Sequence, residues 1–427
     1  MTRGHAVTRV LRPLLAAFLA ALLAGAAAPT AGARPGPSPS APPPSQGTAE
    51  VRFATFNASL NRSAPGELIE DLSTRSNAQA GAVAEIIQRT RPDVLLVNEF
   101  DYDAGGRAAE LFARNYLEVG RNGAAPIRYP YRYVAPSNTG IPSGFDLDNS
   151  GGVGGPNDAF GFGFFPGQFG MAVYSRYPIA RSAVRTFQTF LWRDMPGALL
   201  PDDPATPAPA DWYSPAELDV FRLSSKSHWD VPIDIGRKRV HFLVSHPTPP
   251  VFDGPENRNG LRNHDEIRFW ADYVHPARGR YIYDDAGARG GLRPGALFVI
   301  AGDQNSDPLD GDSVPGAIQQ LTEHPLVNTR VTPSSRGAVE AARLQGGAND
   351  RHRSDPRFDT ADFADDPAPG NLRADYVLPR KNLRITDAAV FWPRQDSPLF
   401  RLVGEFPFPS SDHRLVWIDV RVPGSGR

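Results

Sequence analysis

Asp303 and Asn305 stand one residue apart, shortly after an apolar segment at Leu297–Ile300. Four consecutive apolar residues predict a strand that is buried on both faces. Because side chains alternate along extended backbone, Asp303 and Asn305 would project to the same side of the chain. A carboxylate beside a carboxamide at the end of a core strand indicates an active site. One group can bind a metal ion or activate a water, and the other can donate to a phosphate oxygen.

Other polar side chains also stand where an apolar segment gives way to a loop. These strand-end residues are Asn57, Glu99, His246, Asp412 and His413. Any one of them alone would most simply be a turn residue, a solvated acid or a packed histidine. Their recurrence at successive strand ends indicates one shared site, because the ends of core strands are rigid while the loops above them vary.

The residue types at these positions favour phosphoester chemistry. Asn57 and Glu99 offer hard oxygen ligands, which suit Mg²⁺, Mn²⁺ or Ca²⁺ better than zinc. Asp303 could orient and deprotonate a water, while the two histidines protonate a leaving group and stabilise the transition state. His413 then needs a carboxylate that fixes its tautomer or its positive charge, and Asp375 is the candidate.

The elements that must position these residues are mostly strands. Strand patterns occupy residues 51–56, 94–97, 170–175, 239–245, 297–300, 374–378 and 414–420. Apolar residues at helical spacing predict helices over 77–90, 104–117 and 261–274. Many strands with few intervening helices predict an α+β fold with two sheets and the helices outside.

Seven short motifs carry a resemblance to a known family. They are ATFNASL (54–60), VLLVNEF (94–100), AVYSRYPI (172–179), VSHPTPP (244–250), AGDQNSDP (301–308), ADYVLP (374–379) and SSDHRLV (410–416). In this order they resemble the endonuclease/exonuclease/phosphatase superfamily, which includes pancreatic-type DNases, apurinic endonucleases, inositol polyphosphate 5-phosphatases and bacterial sphingomyelinases. The resemblance spans residues 51–422 and implies a four-layered α/β/β/α sandwich, in which two packed mixed sheets are flanked by helices.

The resemblance implies metal-binding roles for three residues. Asn57 and Glu99 match the metal-binding Asn and Glu of the family, and Asp412 matches an acid near the metal or at a second metal position. Asn98, just before Glu99, stands where many relatives have Gln, and we attach no functional consequence to that difference.

The resemblance also implies catalytic roles. His246 matches the general acid of the nuclease and sphingomyelinase branches, although a stiff Pro-Thr-Pro-Pro segment follows it and leaves its placement open. Asp303 and Asn305 match the pair that orients the attacking water and contacts the phosphate. Asp375 matches the acid that pairs with the last histidine of the family, here His413.

Substrate choice in such enzymes depends on loops, which here are 136–168, 185–230 and 332–370. Asp146 and Asp148 in the first loop resemble the start of a calcium loop, but the bidentate acid expected further on is not in register. A plain surface loop is the alternative to ion binding.

Six further residues are candidates for substrate contacts. Four of them lie in Gly-rich sequence and could stack on bases or touch lipid, or alternatively anchor the loop to its own domain: Phe160, Phe162, Phe164 and Phe165. Arg176 and His228 are candidate contacts for the phosphate or the leaving group, with ordinary surface roles as the alternative.

The N-terminus predicts secretion. Arg3, Arg9 and Arg12 precede an apolar stretch, Leu14–Ala28, and Ala31-Gly32-Ala33 is a small-residue cleavage site. An uncleaved membrane anchor is the alternative. The predicted organisation is a signal peptide at 1–33, a Pro/Ser-rich leader at 34–48, a catalytic domain at 49–422 and a tail at 423–427.

Composition excludes several functional classes. The chain has no cysteine, so it has no disulfide, no thiolate metal site and no cysteine nucleophile. Its formal net charge of -2 does not suit a protein that holds nucleic acid by bulk positive charge. No segment after the N-terminal stretch approaches the length of a membrane span.

We therefore expect a secreted phosphoesterase that depends on Mg²⁺, or on Mn²⁺ or Ca²⁺, and that works by in-line attack of an activated water. A small-molecule or lipid phosphodiester or monoester ranks ahead of DNA as substrate, because the chain is acidic. An extracellular DNase-like endonuclease is the alternative. A phosphate-ligand binding protein with a decayed site is a third reading, which the intact set of site residues argues against. We expect a monomer.

Overall fold

The computed structural model describes residues 48–424. The predicted signal peptide, nearly all of the predicted leader and most of the predicted tail lie outside these residues. All described residues belong to one compact unit, Gln46–Arg427. Within residues 48–424, no helix combines the length and the apolar character that crossing a bilayer requires.

The described strands form two sheets. They are β1 (Ala49–Leu60), β2 (Val94–Phe100), β3 (Tyr131–Tyr133), β4 (Met171–Ser175), β5 (Arg185–Thr186), β6 (His228–Ile235), β7 (Lys238–Ser245), β8 (Leu297–Asp303), β9 (Asp375–Pro379), β10 (Arg384–Val390) and β11 (Val416–Val422). The first sheet has the order β10-β11-β1-β2-β4-β3, and the second has the order β5-β6-β7-β8-β9. Each sheet contains one parallel pair, β1 with β2 and β7 with β8, so both sheets are mixed.

Seven α-helices within the described residues accompany the two sheets, and most of them lie on the outer faces. They are α1 (Glu67–Ser73), α2 (Ala78–Thr90), α3 (Arg107–Phe112), α4 (Pro215–Leu218), α5 (Arg258–Val274), α6 (Gln319–Thr322) and α7 (Arg336–Gln345). Helices α1 to α3 pack on the first sheet, and α5 packs on the second.

Successive side chains of β1 point to opposite faces of the first sheet and therefore contact two different layers of the sandwich. Val51 and Phe53 face the second sheet, where the Phe53 ring lies 5.6 Å from that of Phe242. Ala54 and Phe56 face the helices on the other side of the sheet. Both faces are buried, as the continuous apolar segments predict. The predicted four-layered α/β/β/α sandwich is confirmed.

Two predicted segments differ locally from the structure. The helix predicted over 104–117 divides into α3 and a π-helical turn at Ala113–Leu117. The region 332–370, predicted as a polar loop, contains α7, whose N-cap Ser335 accepts a hydrogen bond from the Ala338 N–H. The residues that helix α7 buries are all small: Gly337, Ala338 and Ala342.

Candidate active site

Strand ends from both sheets meet at one edge of the sandwich. Carboxyl ends of parallel strands lie at the same edge, which brings β1 beside β2 and β7 beside β8. Strand β9 runs antiparallel to β8, so that Asp375 at its start is the register partner of Asp303. The predicted residues at this edge are Asn57 on β1, Glu99 on β2, His246 directly after β7, Asp303 and Asn305 at the end of β8, Asp375 on β9, and Asp412 and His413 before β11.

The Asp303 carboxylate is the centre of the site. Its Oδ2 accepts a hydrogen bond from Asn57 Nδ2 at 3.0 Å, and it lies 3.3 Å from His246 Nε2 and 3.6 Å from His413 Nε2. Its Oδ1 accepts a hydrogen bond from the Asn305 N–H at 2.9 Å. Asp303 is only 1% exposed. A single buried carboxylate therefore joins groups from both sheets.

The backbone around Asp303 holds an unusual conformation at three strand ends. Ser59, Glu99 and Asn305 have φ values of 48°, 54° and 50°. Residues other than glycine rarely adopt this left-handed region, and the strain costs of order 1–3 kcal/mol each. Such strain concentrates at functional sites, where the surrounding structure imposes it. Asn57 adds to that constraint, since its Nδ2 also donates to Glu99 Oε1 at 2.9 Å.

His413 is part of a hydrogen-bonded relay. Its Nδ1 lies 2.8 Å from Asp375 Oδ2, which also accepts a hydrogen bond from Thr360 Oγ1 at 2.8 Å. Burial alone would lower the pKa of His413, but the charges of Asp375 and Asp303 outweigh it and hold that pKa well above its ordinary value. Burial raises the pKa of Asp375 to about 6, against the lowering effect of His413. At neutral pH the pair is thus an imidazolium on a carboxylate.

His246 has a different environment. Burial lowers its pKa, and the charge of Lys226 lowers it further. Its Nδ1 has no hydrogen-bond partner in the part of the chain that the structure describes. Burial would raise the pKa of Asp303, but His413 and His246 outweigh it and hold that pKa far below its ordinary value. The resting site therefore contains an ionised Asp303 between a neutral and a cationic histidine.

The segment after His246 is fixed in place. The Pro247 carbonyl accepts a hydrogen bond from Asn305 Nδ2 at 3.1 Å, and the Thr248 N–H donates to Glu266 Oε2 at 2.6 Å. The Pro-rich segment is therefore held from two sides and keeps His246 against Asp303.

Asp412 lies at the border of the site. Its Oδ1 is 3.4 Å from Ser59 Oγ and 3.4 Å from Ser411 Oγ, and the residue is half-buried. Its charge contributes to the raised pKa of His413. Asp412 makes no hydrogen bond to Asn57, Glu99 or Asp303 among the described contacts.

The chemistry of the site fits a hard divalent cation. The charged groups are the carboxylates of Glu99, Asp303, Asp375 and Asp412 and the cations of Lys226 and His413. Negative charge is therefore in excess, and the amide oxygen of Asn57 adds a neutral oxygen ligand. Asp303, Asp375 and His413 also have ligand atoms within 4.8 Å of one another. We assign that trio to proton handling, because a protonated His413 cannot act as a ligand.

Within the described residues, two predicted substrate contacts make no hydrogen bond to the groups around Asp303. Arg176 pairs with Asp93 at 2.9 Å, at the amino end of β2 and so at the opposite end of the strand from Glu99. His228 is buried, with Nδ1 2.6 Å from Ser224 Oγ and Nε2 2.9 Å from a backbone carbonyl of α5. Burial lowers the pKa of His228 to about 4. The structure contradicts both predictions, since one residue lies too far away and the other is fully partnered in the core.

The acidic residues of the 136–168 loop lie together. Asp146, Asp148 and Asp158 each have a carboxylate oxygen within 4.8 Å of the others. These carboxylates accept hydrogen bonds from the loop's own backbone, at Gly151 for Asp146 and at Leu147 for Asp158. They therefore hold the loop's shape.

The phenylalanines of the same loop divide into two groups. Phe160 and Phe165 are buried, as anchoring of the loop predicts. Phe162 and Phe164 are 49% and 69% exposed, with ring centroids 5.5 Å apart. The loop contacts the segment after β2, where the Gly167 carbonyl accepts a hydrogen bond from the Tyr102 N–H. The exposed pair thus lies on a loop that borders the site.

Three residues of the site were not identified from the sequence. Thr360 donates a hydrogen bond to Asp375, and no sequence pattern in its polar loop indicates this role. Asn98 accepts a hydrogen bond from Thr55 Oγ1 at 3.1 Å and lies 3.4 Å from the Asp303 N–H, so it links the two sheets. Lys226 was not singled out, although the segment that contains it, SKSHWD (225–230), was expected to precede a strand and to reach the site.

Comparisons with solved structures find several similar proteins. Similar solved structures include an endonuclease/exonuclease/phosphatase protein from Beutenbergia cavernae (TM-score 0.46, 18% identity, 88% of this chain and 72% of that chain). Staphylococcus aureus beta toxin with bound magnesium ions is also similar (TM-score 0.43, 14% identity, 87% of this chain and 99% of that chain). So is sphingomyelinase C from Streptomyces griseocarneus (TM-score 0.40, 14% identity, 87% of this chain and 99% of that chain). A search of curated proteins found no match.

The sequence itself matches a family model over most of its length. The model describes the Endonuclease/Exonuclease/phosphatase family, and it matches residues 54–413. That span begins in β1 and ends at His413, so it contains every strand end that contributes to the site. The chain therefore belongs to the Endonuclease/Exonuclease/phosphatase family and is a metal-dependent hydrolase of ester bonds.

Proposed function

We propose that the chain is a secreted phosphoesterase that hydrolyses phosphodiester or phosphomonoester bonds by in-line attack of water. The observation that carries this proposal is the contact of one ionised carboxylate, Asp303, with Asn57, His246 and His413. An ionised carboxylate can orient a water and accept a hydrogen bond from it while the water attacks phosphorus. Excess negative charge beside it suits a divalent cation.

Asn57 and Glu99 would hold that cation, and Mg²⁺ is our first choice because both ligands are hard oxygens. When bound, the ion would neutralise phosphate charge. Asp412, at the border of the site, would serve a second metal position. Asn305, on the strained end of β8, is placed to contact the phosphate.

The two histidines have separate roles in this proposal. His413 is cationic in the resting site and stabilises negative charge on the phosphoryl group. His246 is neutral there, so it can serve as general acid only after the negative charge of a bound phosphate raises its pKa. The proton then passes from His246 Nε2 to the leaving oxygen, and the attacking water releases its proton toward Asp303.

Secretion and domain limits are part of the proposal. The sequence at 1–33 supports export, and the boundaries of the catalytic domain at 49–422 follow from the sequence pattern. We propose that the protein works as a monomer, since one chain supplies every residue of the site.

A panel assay tests the function. Purified protein would be given bis-para-nitrophenyl phosphate, para-nitrophenyl phosphate, sphingomyelin or plasmid DNA with Mg²⁺, Mn²⁺ or Ca²⁺, and with chelator. We expect hydrolysis that chelator removes and that Asp303→Ala lowers by about 10²–10⁴-fold. Activity that survives chelator, or that is unchanged in Asp303→Ala, would overturn the mechanism.

An extracellular endonuclease is the second candidate. The exposed Phe162 and Phe164 favour it, because aromatic faces beside a phosphoester site can stack on bases. Degradation of plasmid DNA without turnover of the other substrates would select this candidate.

The general acid is tested by leaving-group dependence. His246→Ala should retain turnover of para-nitrophenyl esters, whose leaving group needs little protonation, and should lose turnover of alkyl esters. Equal loss for both kinds of ester would assign His246 to phosphate binding instead.

A further inference from the structure

Lys226 is a buried cation that no contact within the protein explains. It lies in the turn before β6, is 6% exposed, and its ammonium makes no hydrogen bond or ion pair to any residue within 48–424. The ammonium itself keeps some accessible surface and is therefore open to an incoming group, while burial of the rest of the residue lowers the pKa of Lys226.

The backbone of this turn is held on several sides. The Ser225 N–H donates to Glu266 Oε1 at 2.6 Å, and the Lys226 carbonyl accepts from the Asn138 N–H at 2.8 Å. A Cβ on Gly161 would lie 1.8 Å from the Ser225 carbonyl oxygen, so the 136–168 loop packs directly on the turn. The backbone of Lys226 is therefore held in place, as a preorganised binding site requires.

The charge of Lys226 acts on the active site. Glu99 and Asp303 raise the pKa of Lys226 against the effect of burial, and Lys226 in turn lowers the pKa of His246. Ser225 Oγ also donates to the His246 carbonyl at 3.3 Å, which joins the turn to the end of β7. The turn that carries Lys226 thus adjoins the segment that carries His246.

A purely structural role for Lys226 would be to balance a buried acid. Glu266 is the nearest candidate, since it has the largest raising effect on the pKa of Lys226. Each Glu266 carboxylate oxygen already accepts a backbone N–H at 2.6 Å, from Ser225 and from Thr248. Glu266 is therefore satisfied without an ion pair to Lys226.

We infer that Lys226 binds a non-bridging oxygen of the phosphoryl group of the substrate, next to His246. The inference rests on the proposed phosphoesterase function and adds a substrate-binding residue to it. A compact ammonium with all three donors unpaired suits a phosphate oxygen as a point charge. An incoming phosphoryl anion would supply the partner that the folded protein lacks.

The test is inhibition by inorganic phosphate. Bis-para-nitrophenyl phosphate hydrolysis with Mg²⁺ would be followed in wild type, Lys226→Met and Lys226→Arg, with Lys238→Met as the matched control. Lys238 is an exposed lysine at the opposite end of β7 from His246. We expect Lys226→Met to raise the phosphate inhibition constant and KM by about 10–100-fold, with partial recovery in Lys226→Arg and no change in Lys238→Met.

Thermal unfolding separates binding from folding. We expect the Tm of Lys226→Met to equal or exceed that of wild type, because the substitution removes a buried charge that lacks a partner. A folded Lys226→Met with wild-type phosphate inhibition would overturn the inference, and so would a loss of stability in both Lys226 variants.

The inference can fail separately from the proposed function. Inactive wild-type protein would reject the phosphoesterase proposal, and phosphate binding would then be measured by calorimetry in Mg²⁺. Weaker phosphate binding by Lys226→Met than by wild type would still support the anion site. Equal binding would reject it.

Discussion

His413 Nδ1 lies 2.8 Å from Asp375 Oδ2, whereas His246 Nδ1 has no partner among residues 48–424. Both histidines contact the same Asp303 oxygen with their other nitrogen. Only His413 has a second acid, Asp375, and this difference gives the two rings different charges at neutral pH. A phosphoryl-transfer site can use both, one to stabilise charge and one to exchange a proton.

The Asp375–His413 pair should set the acid limit of activity. The pKa of Asp375 is raised to about 6, so this carboxylate takes up a proton as the pH falls below that value and no longer supports a cationic His413. We expect kcat/KM to fall on the acid side with a midpoint near pH 6. Asp375→Asn should lower the rate at pH 7 by about 10²-fold or more and remove this limb of the pH profile. An unchanged acid limb in Asp375→Asn would contradict the assignment.

Thr360 should act through Asp375. Its hydroxyl donates to Asp375 Oδ2 and so favours the ionised carboxylate. Thr360→Val removes that donor, and we expect the acid limb to move to higher pH and kcat to fall about tenfold. Thr360→Ser keeps a hydroxyl and serves as the control.

The Thr360 hydroxyl also accepts the N–H groups of Ala374 and Asp375, so the unfolding midpoint of each variant should be recorded. A rate loss in Thr360→Val without a shift of the acid limb would indicate a structural role only.

Glu99 should govern the affinity for the metal ion. Its carboxylate is half-buried and receives one hydrogen bond, from Asn57, which leaves oxygen lone pairs for an ion. Glu99→Gln removes the charge with little change of shape, and we expect the Mg²⁺ concentration for half-maximal activity to rise by about 10–100-fold. Titration of activity with Mg²⁺ measures this shift. The exposed Glu405→Gln is the control, and an equal response of the two variants would reject Glu99 as a ligand.

Asp359 should make stability depend on pH. It is 1% exposed, its Oδ1 has no hydrogen-bond partner in the described chain, and burial raises its pKa from 3.8 to about 9. The folded protein then keeps a proton that the unfolded chain loses above pH about 4. Stability from this group is therefore present at low pH and declines as the pH rises from about 4 to 9.

Asp359→Asn mimics the protonated side chain and should remove that decline. At pH 8 we expect its free energy of unfolding in urea to exceed that of wild type by about 1–3 kcal/mol, with a smaller difference at pH 5. The exposed Asp396→Asn is the control. Destabilisation by Asp359→Asn at pH 8 would show that the wild-type carboxylate is ionised and partnered.

Much of the fold was predictable because it depends on local pattern. Segments such as Val94–Val97 and Leu297–Ile300 are apolar enough to mark strands buried on both faces, and the residues that follow them are the polar groups of the site. Helix α7 was missed within the polar region 332–370, although its N-cap Ser335 and its amphipathic pattern could have indicated it.

The sequence by itself determined seven of the eleven described strands, the residue types at their ends and, through the order of its motifs, the family. Only the tertiary structure decided which of those residues meet. Asp303 and Asp375 become partners through the register of β8 and β9, which placed Asp375 in the site, whereas the same pairing rules left Arg176 at the wrong end of β2. Burial then decided the charges, because the pKa of a histidine depends on neighbours from distant parts of the chain. For that reason the two histidines of the site differ in protonation, and the turn that carries Lys226 meets the His246 segment only in the folded protein.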